Sequence, residues 1–296
     1  MQQHTLKSWI TCSGIALHSG ARVSMTLHPA EPNTGVVFVR TDISGRDNVI
    51  PARYDHVVDT RLCTVIGNGD GVTVATIEHL MAALSTSEID NARIEIDGPE
   101  VPIMDGSAEP FLFLIECTGT VPQKATRKAI KILKSVTVGN AEKTASLSPS
   151  VESGFSFEIE FPNPAIGRQS QSVRRDTGAL RAEISRARTF GFLSDIEKLR
   201  KMGLARGGTM DNAIVLSDEG VMNEDGLRFP DEFVRHKILD SVGDIYLAGY
   251  PIIGHYHGWK SGHALNNELV RTLFSRPDAW HLVDCPKVST PLAACA

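Results

Sequence analysis

The sequence lacks the cysteine patterns that build disulfide frameworks or cysteine-bound metal sites. Its five cysteines, Cys12, Cys63, Cys117, Cys285 and Cys295, are odd in number, widely scattered and never spaced as C-x-x-C. Neither a disulfide framework nor a four-cysteine zinc knot is therefore expected. The pattern favours a protein of the reducing cytoplasm.

The sequence also shows no long apolar stretch, no apolar run among its first residues and no basic block. Its first residues, M-Q-Q-H-T-L-K, contain no apolar core, and no stretch approaches the roughly 20 apolar residues that cross a bilayer. Lys and Arg number 30 against 35 Asp and Glu, without a cluster of one sign. We therefore expect neither a membrane span nor general nucleic-acid binding.

What is present is enough apolar sequence for two cores. The chain has 296 residues, of which 42% are hydrophobic and 22% charged, an ordinary balance for a folded enzyme. Single cores stop growing near this length, so we predict two domains. The polar and basic segment at 120–129 interrupts the apolar periodicity, and we place the boundary there, giving domains 1–124 and 125–296.

Both halves contain the same kinds of element, which predicts an α+β fold. Apolar runs with the period of a strand occur at 36–39, 72–74, 130–133 and 155–159. Helical spacing occurs near 77–84, 111–115 and 231–247. For the second helix we expect Ser107 as the N-cap and Gly119 beyond the end. No sequence repeat links the halves.

An acid and an imidazole are adjacent in the first of these helices, within T-I-E-H-L-M-A-A-L. Glu78 and His79 project about 100° apart, so a single site can use both only at the helix edge. The pair matches no zinc-protease signature, because H-E-x-x-H needs two histidines four residues apart. On its own it is typical of a solvent-facing helix edge.

Polar residues of H-K-I-L-D-S-V-G-D share one face of the long predicted helix. His236, Asp240 and Asp244 recur every four residues, opposite an apolar arc that includes Ile238 and Val242. Side chains at i and i+4 can converge on one ion. The solvated side of any amphipathic helix looks the same, so the spacing alone leaves both interpretations open.

A rival metal site would use three histidines further along the chain. His255 and His257 point to one side of a predicted strand, and His263 lies near the start of a predicted helix. We favour the first set of residues, because the rival supplies no carboxylate placed to act as a base.

Taken together, these segments resemble the UDP-3-O-acyl-N-acetylglucosamine deacetylase family, the zinc amidases of lipid A biosynthesis. Similar blocks run through nearly the whole chain, in family order and spacing. They are S-G-I-A-L-H-S-G from 13, D-T-R-L-C-T from 59, E-H-L-M-A-A-L from 78, I-D-N-A-R-I-E from 89, E-V-P-I-M-D-G-S-A from 100, R-A-R-T-F-G-F from 186, N-E-D-G-L-R-F from 223, H-K-I-L-D-S-V-G-D from 236 and K-S-G-H-A-L-N-N from 260.

The resemblance implies one catalytic zinc ion per chain and a set of residues around it. The implied zinc ligands are His79, His236 and Asp240. Three ligands leave a fourth position open, as catalytic zinc requires. The implied catalytic residues are Glu78 as general base, His263 as general acid, Asp244 behind His263, and Thr189 and Lys237 at the developing negative charge.

The resemblance also implies how the substrate is held. Lys260 would meet the diphosphate, and Phe161 would pack against uracil, with Phe190 and Phe192 as further substrate contacts. An insert at about 192–215 would form a channel for the 3-O-acyl chain. The apolar residues offered for that channel are Phe192, Leu193, Ile196, Leu199 and Met202.

The reaction implied is hydrolysis of the substrate's acetamide, giving UDP-3-O-acyl-glucosamine and acetate, the committed step of lipid A synthesis. The implied protein is a cytoplasmic monomer that binds this UDP-linked acylated amino sugar. Its fold would be two similar domains, each a sheet with two helices, packed helix face to helix face as a β-α-α-β sandwich. Two alternatives stay open: another zinc amidase or esterase on the same scaffold, and a non-catalytic nucleotide-sugar binder.

Overall fold

The structure, a computed structural model, describes residues 1–285. Cys295 and the rest of 286–296, the end of the predicted second domain, lie outside the described residues. The first half contains ten strands and two helices. They are β1 Gln2–Leu6, β2 Ile10–Ile15, β3 Arg22–Pro29, β4 Val36–Arg40, β5 Val49–Pro51, β6 Val57–Asp59, β7 Val65–Gly67, β8 Thr73–Val74, α1 Glu78–Thr86, β9 Ala92–Ile96, α2 Glu109–Thr118 and β10 Thr120–Thr126, with a 3-10 turn at Tyr54–His56.

The second half repeats this plan with an added segment. Its elements are β11 Lys128–Ile132, β12 Val136–Gly139, β13 Thr144–Ser148, β14 Gly154–Glu160, β15 Arg168–Arg174, α3 Thr177–Glu183, β16 Phe190–Phe192, α4 Leu193–Lys201, β17 Ile214–Ser217, β18 Gly220–Val221, α5 Glu232–Tyr246, β19 Ile252–Ile253, β20 His255–Trp259, α6 His263–Phe274 and β21 Trp280–Asp284.

The two halves have the same sheet topology. The first five-stranded sheet has the order β2-β3-β9-β4-β5, and the second has the order β12-β13-β20-β14-β15. In each sheet the central strand, β9 or β20, is parallel to one neighbour and antiparallel to the other, and the outer pairs are antiparallel. One helix precedes each central strand and one follows it. The two similar domains expected from the resemblance are confirmed.

The helices that precede the central strands, α1 and α5, pack against each other between the sheets. α2 packs on α1, and α6 packs on α5. The contact between α1 and α5 is close at Gly243, where an added Cβ would lie 2.0 Å from the backbone oxygen of Glu78. The expected packing of helix face on helix face is therefore present.

This packing changes the environment of the polar residues on α1 and α5. Every residue of α1 is buried, and so are His236, Asp240 and Asp244 on α5. The interpretation of these residues as a solvated helix side is therefore wrong, because the polar faces meet each other rather than water. Buried polar groups require partners, and these residues find them where the two helices meet.

The strands and helices agree with the sequence patterns apart from two details. The second helix begins at Glu109 with Ala108 as its N-cap, and the Ser107 hydroxyl accepts a bond from the Glu109 amide at 3.3 Å. The predicted N-cap, Ser107, therefore lies one residue before the actual N-cap. The segment at 120–129 begins with β10, which pairs with β1 although its apolar periodicity is weak. No helix within residues 1–285 is long and apolar enough to cross a membrane.

Candidate metal centre

Three potential metal ligands converge where α1 meets α5. The Nε2 atom of His79 lies 3.6 Å from an oxygen of Asp240, and the Nε2 atom of His236 lies 3.3 Å from the same oxygen. The two imidazole rings are 5.0 Å apart and nearly perpendicular. In the described part of the chain, this is the only group of three or more such residues whose ligand atoms lie within 4.8 Å of one another.

The distances fit a single ion such as zinc. Nitrogen and oxygen ligands about 2.0–2.1 Å from a tetrahedral centre are roughly 3.3–3.4 Å apart. The two nitrogen-to-oxygen separations of 3.3 and 3.6 Å are close to this value. Two imidazoles and one carboxylate also form the donor set of known hydrolytic zinc sites with an open position. The residues present therefore fit the ion that the resemblance implies.

Groups around the ligands fix their orientation and charge. The Nδ1 atom of His236 lies 3.0 Å from the carbonyl of Ala187, which leaves Nε2 free to bind a metal. Burial lowers the pKa of His236 to about 4, so the ring is neutral at neutral pH. Burial alone would raise the pKa of Asp240, but interactions with His236 and Lys237 outweigh it and hold that pKa well below its usual range. The Lys237 ammonium donates to Asp240 at 2.9 Å.

Glu78, His263 and Asp244 form a row beside the ligands, with the imidazole between the two carboxylates; we call it the catalytic row. The Nε2 atom of His263 lies 3.8 Å from Oε1 of Glu78, and its Nδ1 lies 2.8 Å from Oδ2 of Asp244. The backbone amide of Thr64 donates to Glu78 at 3.1 Å, and the Thr64 hydroxyl donates to Asp244. The Asn266 amide also donates to Asp244, at 2.8 Å.

The electrostatics of this row suit one proton acceptor and one proton donor. Burial raises the pKa of the Glu78 carboxyl, which favours proton uptake. Burial alone would lower the pKa of His263, but the carboxylates of Asp244 and Glu78 outweigh it and raise the pKa to about 9. The imidazole is therefore protonated at neutral pH. An acid and a base with pKa values shifted in this way are typical of general acid and base catalysis.

Two cavities meet at this centre. The first, of about 150 Å³, is lined by the three ligands, Glu78 and His263. The second, of about 330 Å³, has an almost entirely apolar lining. Residues shared by both linings are Leu17, Thr189 and Phe190. A substrate with a polar head and an apolar chain could thus occupy both cavities at once.

The apolar cavity lies within the predicted insert. Leu193, Ile196 and Leu199 of α4 line it, as expected. Met202 does not, because the residue lies just beyond the end of α4 and is 73% exposed. Phe192 is also outside this lining and instead packs against Phe161, with ring centres 5.9 Å apart. Neither residue therefore forms the wall that the resemblance implied.

Aromatic rings connect the metal group with the predicted uracil contact. Phe190 lies 6.3 Å from the ring of His236, and Phe161 packs on Phe190 at 5.9 Å. Lys260, the predicted phosphate contact, bonds to Glu160 and lies over the ring of Trp259. One ring, that of Phe190, therefore separates Phe161 from the ligand His236. Lys260 bonds to Glu160, the residue before Phe161.

The rival histidines do not join His263. The Nε2 atom of His255 lies 2.7 Å from the Ser156 hydroxyl, and that of His257 lies 3.4 Å from Glu158. Both are on β20, in the second sheet, whereas His263 faces Asp244 and Glu78. The structure therefore does not bring the three rival histidines together.

The sequence patterns missed several residues of the site. Thr64, in the loop before β7, bonds to Glu78, and Asn266, on α6, bonds to Asp244. His18 lines the metal cavity, and both of its ring nitrogens are unpartnered within residues 1–285. Asn266 follows His263 by three residues, so its position on one helix face offered a usable signal. Thr64 offered none, because a loop residue gains its role only when the domains pack.

Comparisons with known proteins identify the family of this chain's relatives. A family model described as UDP-3-O-acyl N-acetylglycosamine deacetylase matches residues 3–275. Proteins named UDP-3-O-acyl-N-acetylglucosamine deacetylase are similar over nearly the whole chain. That of Myxococcus xanthus is 53% identical over 95% of this chain and 89% of its own length. That of Acidithiobacillus ferrooxidans is 50% identical over 99% of this chain and 96% of its own.

Proposed function

Since this chain belongs to the UDP-3-O-acyl N-acetylglycosamine deacetylase family, we propose that it removes the acetyl group of UDP-3-O-acyl-N-acetylglucosamine with one bound zinc ion. The products are UDP-3-O-acyl-glucosamine and acetate, as the committed step of lipid A synthesis. The observation that carries this proposal is the buried group His79, His236 and Asp240 beside the pair Glu78 and His263.

The ligand set would hold zinc with one position free for chemistry. When bound, zinc supplies Lewis acidity, which polarises a carbonyl oxygen and makes water a stronger acid. The buried His236 ring stays neutral and is aimed by the Ala187 carbonyl, and Asp240 stays ionised beside Lys237. All these features favour a cation at this point of the contact between the two domains.

Glu78 and His263 divide the proton transfers. The Glu78 carboxylate, held at one oxygen by the Thr64 amide, accepts a proton from the attacking water through its other oxygen. The protonated His263 ring, held at Nδ1 by Asp244, donates a proton from Nε2 to the departing amine. Thr189 and Lys237 line the same cavity and would stabilise negative charge on the acetamide oxygen.

The remaining contacts suit a UDP sugar that carries an acyl chain. The apolar cavity accepts the 3-O-acyl chain, with Phe190 at the junction of the two cavities. Phe161 offers a ring face to uracil, and Phe192 supports that ring. Lys260 would exchange its bond with Glu160 for one with the diphosphate.

The proposal includes the oligomeric state, the cellular compartment and the domain division of the protein. It acts as a monomer in the cytoplasm, a reducing compartment that suits the free thiols of Cys12, Cys63, Cys117 and Cys285. We also keep the division into domains 1–124 and 125–296, with the acyl-chain insert at about 192–215.

Two alternatives define the test. Another amidase or esterase on this scaffold would not require both the UDP and the acyl group, and a nucleotide-sugar binder would release no acetate. The experiment combines zinc content with acetate release from matched UDP sugars that carry or lack the 3-O-acyl chain. One zinc per chain and acetate release that requires the acyl chain are expected. A fully active preparation without metal would refute the mechanism.

A further inference from the structure

A buried ion pair lies next to the metal centre without touching it. The Arg188 guanidinium donates to both oxygens of Glu232, at 2.9 and 3.2 Å, and the Arg188 backbone amide donates to Glu232 at 3.0 Å. Glu232 is 0% exposed and Arg188 6%. The second Glu232 oxygen also accepts from the backbone amide of Arg228. These donors together hold the Glu232 carboxylate in place in the first turn of α5.

The Arg188–Glu232 pair is adjacent to the hydrogen bond that orients the metal ligand His236. Glu232 and His236 are four residues apart, so they occupy one face of α5 on successive turns. Arg188 follows Ala187, whose carbonyl lies 3.0 Å from Nδ1 of His236. The segment 187–189 is thus joined to α5 by two neighbouring contacts. Thr189, at the end of that segment, lines the metal cavity.

We propose that Arg188 and Glu232 are positioning residues that hold the Ala187 carbonyl against His236 and Thr189 against the metal cavity. The partner of His236 is a backbone carbonyl, so its position depends on how the segment 187–189 is held against α5. Arg188 suits this task because its planar, multiply bonded guanidinium tolerates little rotation. This inference rests on the proposed zinc-dependent function.

Stability alone gives a weak reason for such a pair. Replacing both members of a buried ion pair with apolar residues often leaves a protein as stable as before, or more so. Removing a group that orients a metal ligand, in contrast, typically weakens metal binding by about 10- to 100-fold. The two roles can therefore be separated by removing the whole pair and measuring zinc binding as well as folding.

The test compares an Arg188→Met/Glu232→Leu double variant with the unaltered protein. Zinc dissociation constants from competition with a chelator, kcat, KM and urea unfolding are measured for each. We expect the variant to be less stable, because the Arg188 and Arg228 backbone amides lose their acceptor, but still folded. Its zinc dissociation constant should rise about tenfold or more. We also expect kcat to fall more than KM rises, because Thr189 acts on charge that develops during the reaction. The control is Lys134→Met/Asp278→Leu, which removes an exposed pair outside the lining of the metal cavity. It should change neither the zinc dissociation constant nor kcat.

Each result supports or overturns the inference. A folded double variant with an unchanged zinc constant and unchanged kcat overturns it. If the double variant does not fold, Arg188→Lys decides, because it keeps the charge but loses the planar two-point contact and should weaken zinc binding by a smaller factor. If the unaltered protein neither binds zinc nor releases acetate, the proposed function fails. If it does both and the variants match it, only the inference about this pair fails.

Discussion

The Nδ1 atom of His263 lies 2.8 Å from an oxygen of Asp244, on the side of the ring opposite Glu78. Both carboxylates are buried, and they raise the pKa of the imidazole between them to about 9. A general acid must be protonated before it acts, so this arrangement keeps the proposed donor ready at neutral pH. We therefore expect Asp244 to set the alkaline limit of activity by acting through His263.

We predict that Asp244→Asn shifts the alkaline limb of kcat/KM to lower pH. The raised pKa keeps His263 protonated up to about pH 9, and removal of the Asp244 charge lowers that pKa. The acid form is then lost at a lower pH than in the unaltered protein. A pH profile of acetate release measures the shift, with zinc content as the control for an intact site. An alkaline limb at the same pH in both proteins would show that Asp244 does not govern the proton donor.

Glu78→Gln should retain zinc and lose most turnover. Glutamine has nearly the same shape but cannot accept the proton from water, and loss of a general base typically lowers kcat by about 10²- to 10⁴-fold. Glu78 is next to His79 yet does not belong to the group of potential ligands, so metal content should stay near one per chain. Turnover close to that of the unaltered protein would remove Glu78 from the mechanism.

The sequence predicted which residues form the site, but not their burial or the contacts that hold them. The spacing of His236, Asp240 and Asp244 is local to one helix, so it can be read directly from the chain. Their burial depends on α1, which is more than 140 residues away in sequence, and no local pattern encodes that contact. Thr64 shows the same limit, because its bond to Asp244 joins residues 180 positions apart. Helical periodicity describes one element, whereas a site between domains depends on two.

The apolar cavity should determine the use of the acyl chain. Ile196 lines it, and Ile196→Trp would fill part of its volume of about 330 Å³. We expect KM for the acylated substrate to rise about tenfold or more, equivalent to roughly 1.4 kcal/mol or more, whereas a short-chain analogue should be affected less. Met202→Trp is the matched control, since Met202 lies just after the same helix but is exposed. Equal effects of the two substitutions would show that the cavity does not hold the chain.

Thr76, two residues before Glu78, has a backbone conformation that β-branched residues rarely adopt. Its φ is 56°, and its hydroxyl donates to the buried Glu100 carboxylate at 3.0 Å. Thr76→Val keeps the shape but removes this bond, which should lower the free energy of unfolding by about 1–3 kcal/mol. Thr76→Ser keeps the hydroxyl and should be closer to the unaltered protein. Urea unfolding measures both, and equal losses for valine and serine would exclude the hydroxyl as the cause.

Gly243 permits the close approach of α5 to α1 that brings the ligands together. An added Cβ would lie 2.0 Å from the Glu78 backbone oxygen and 3.1 Å from the Ala82 nitrogen, both backbone atoms with little room to move. Gly243→Ala must therefore separate the helices and move His79 away from Asp240.

In an unconstrained helix, the same substitution would stabilise by about 0.8–1.0 kcal/mol. We instead expect the free energy of unfolding to fall by about 1–3 kcal/mol, as overpacking predicts, and zinc binding to weaken. Gly69→Ala is the control, because an added Cβ there meets no atom within 4 Å. A stabilised Gly243→Ala variant with unchanged zinc affinity would mean that the ligands do not depend on this helix contact.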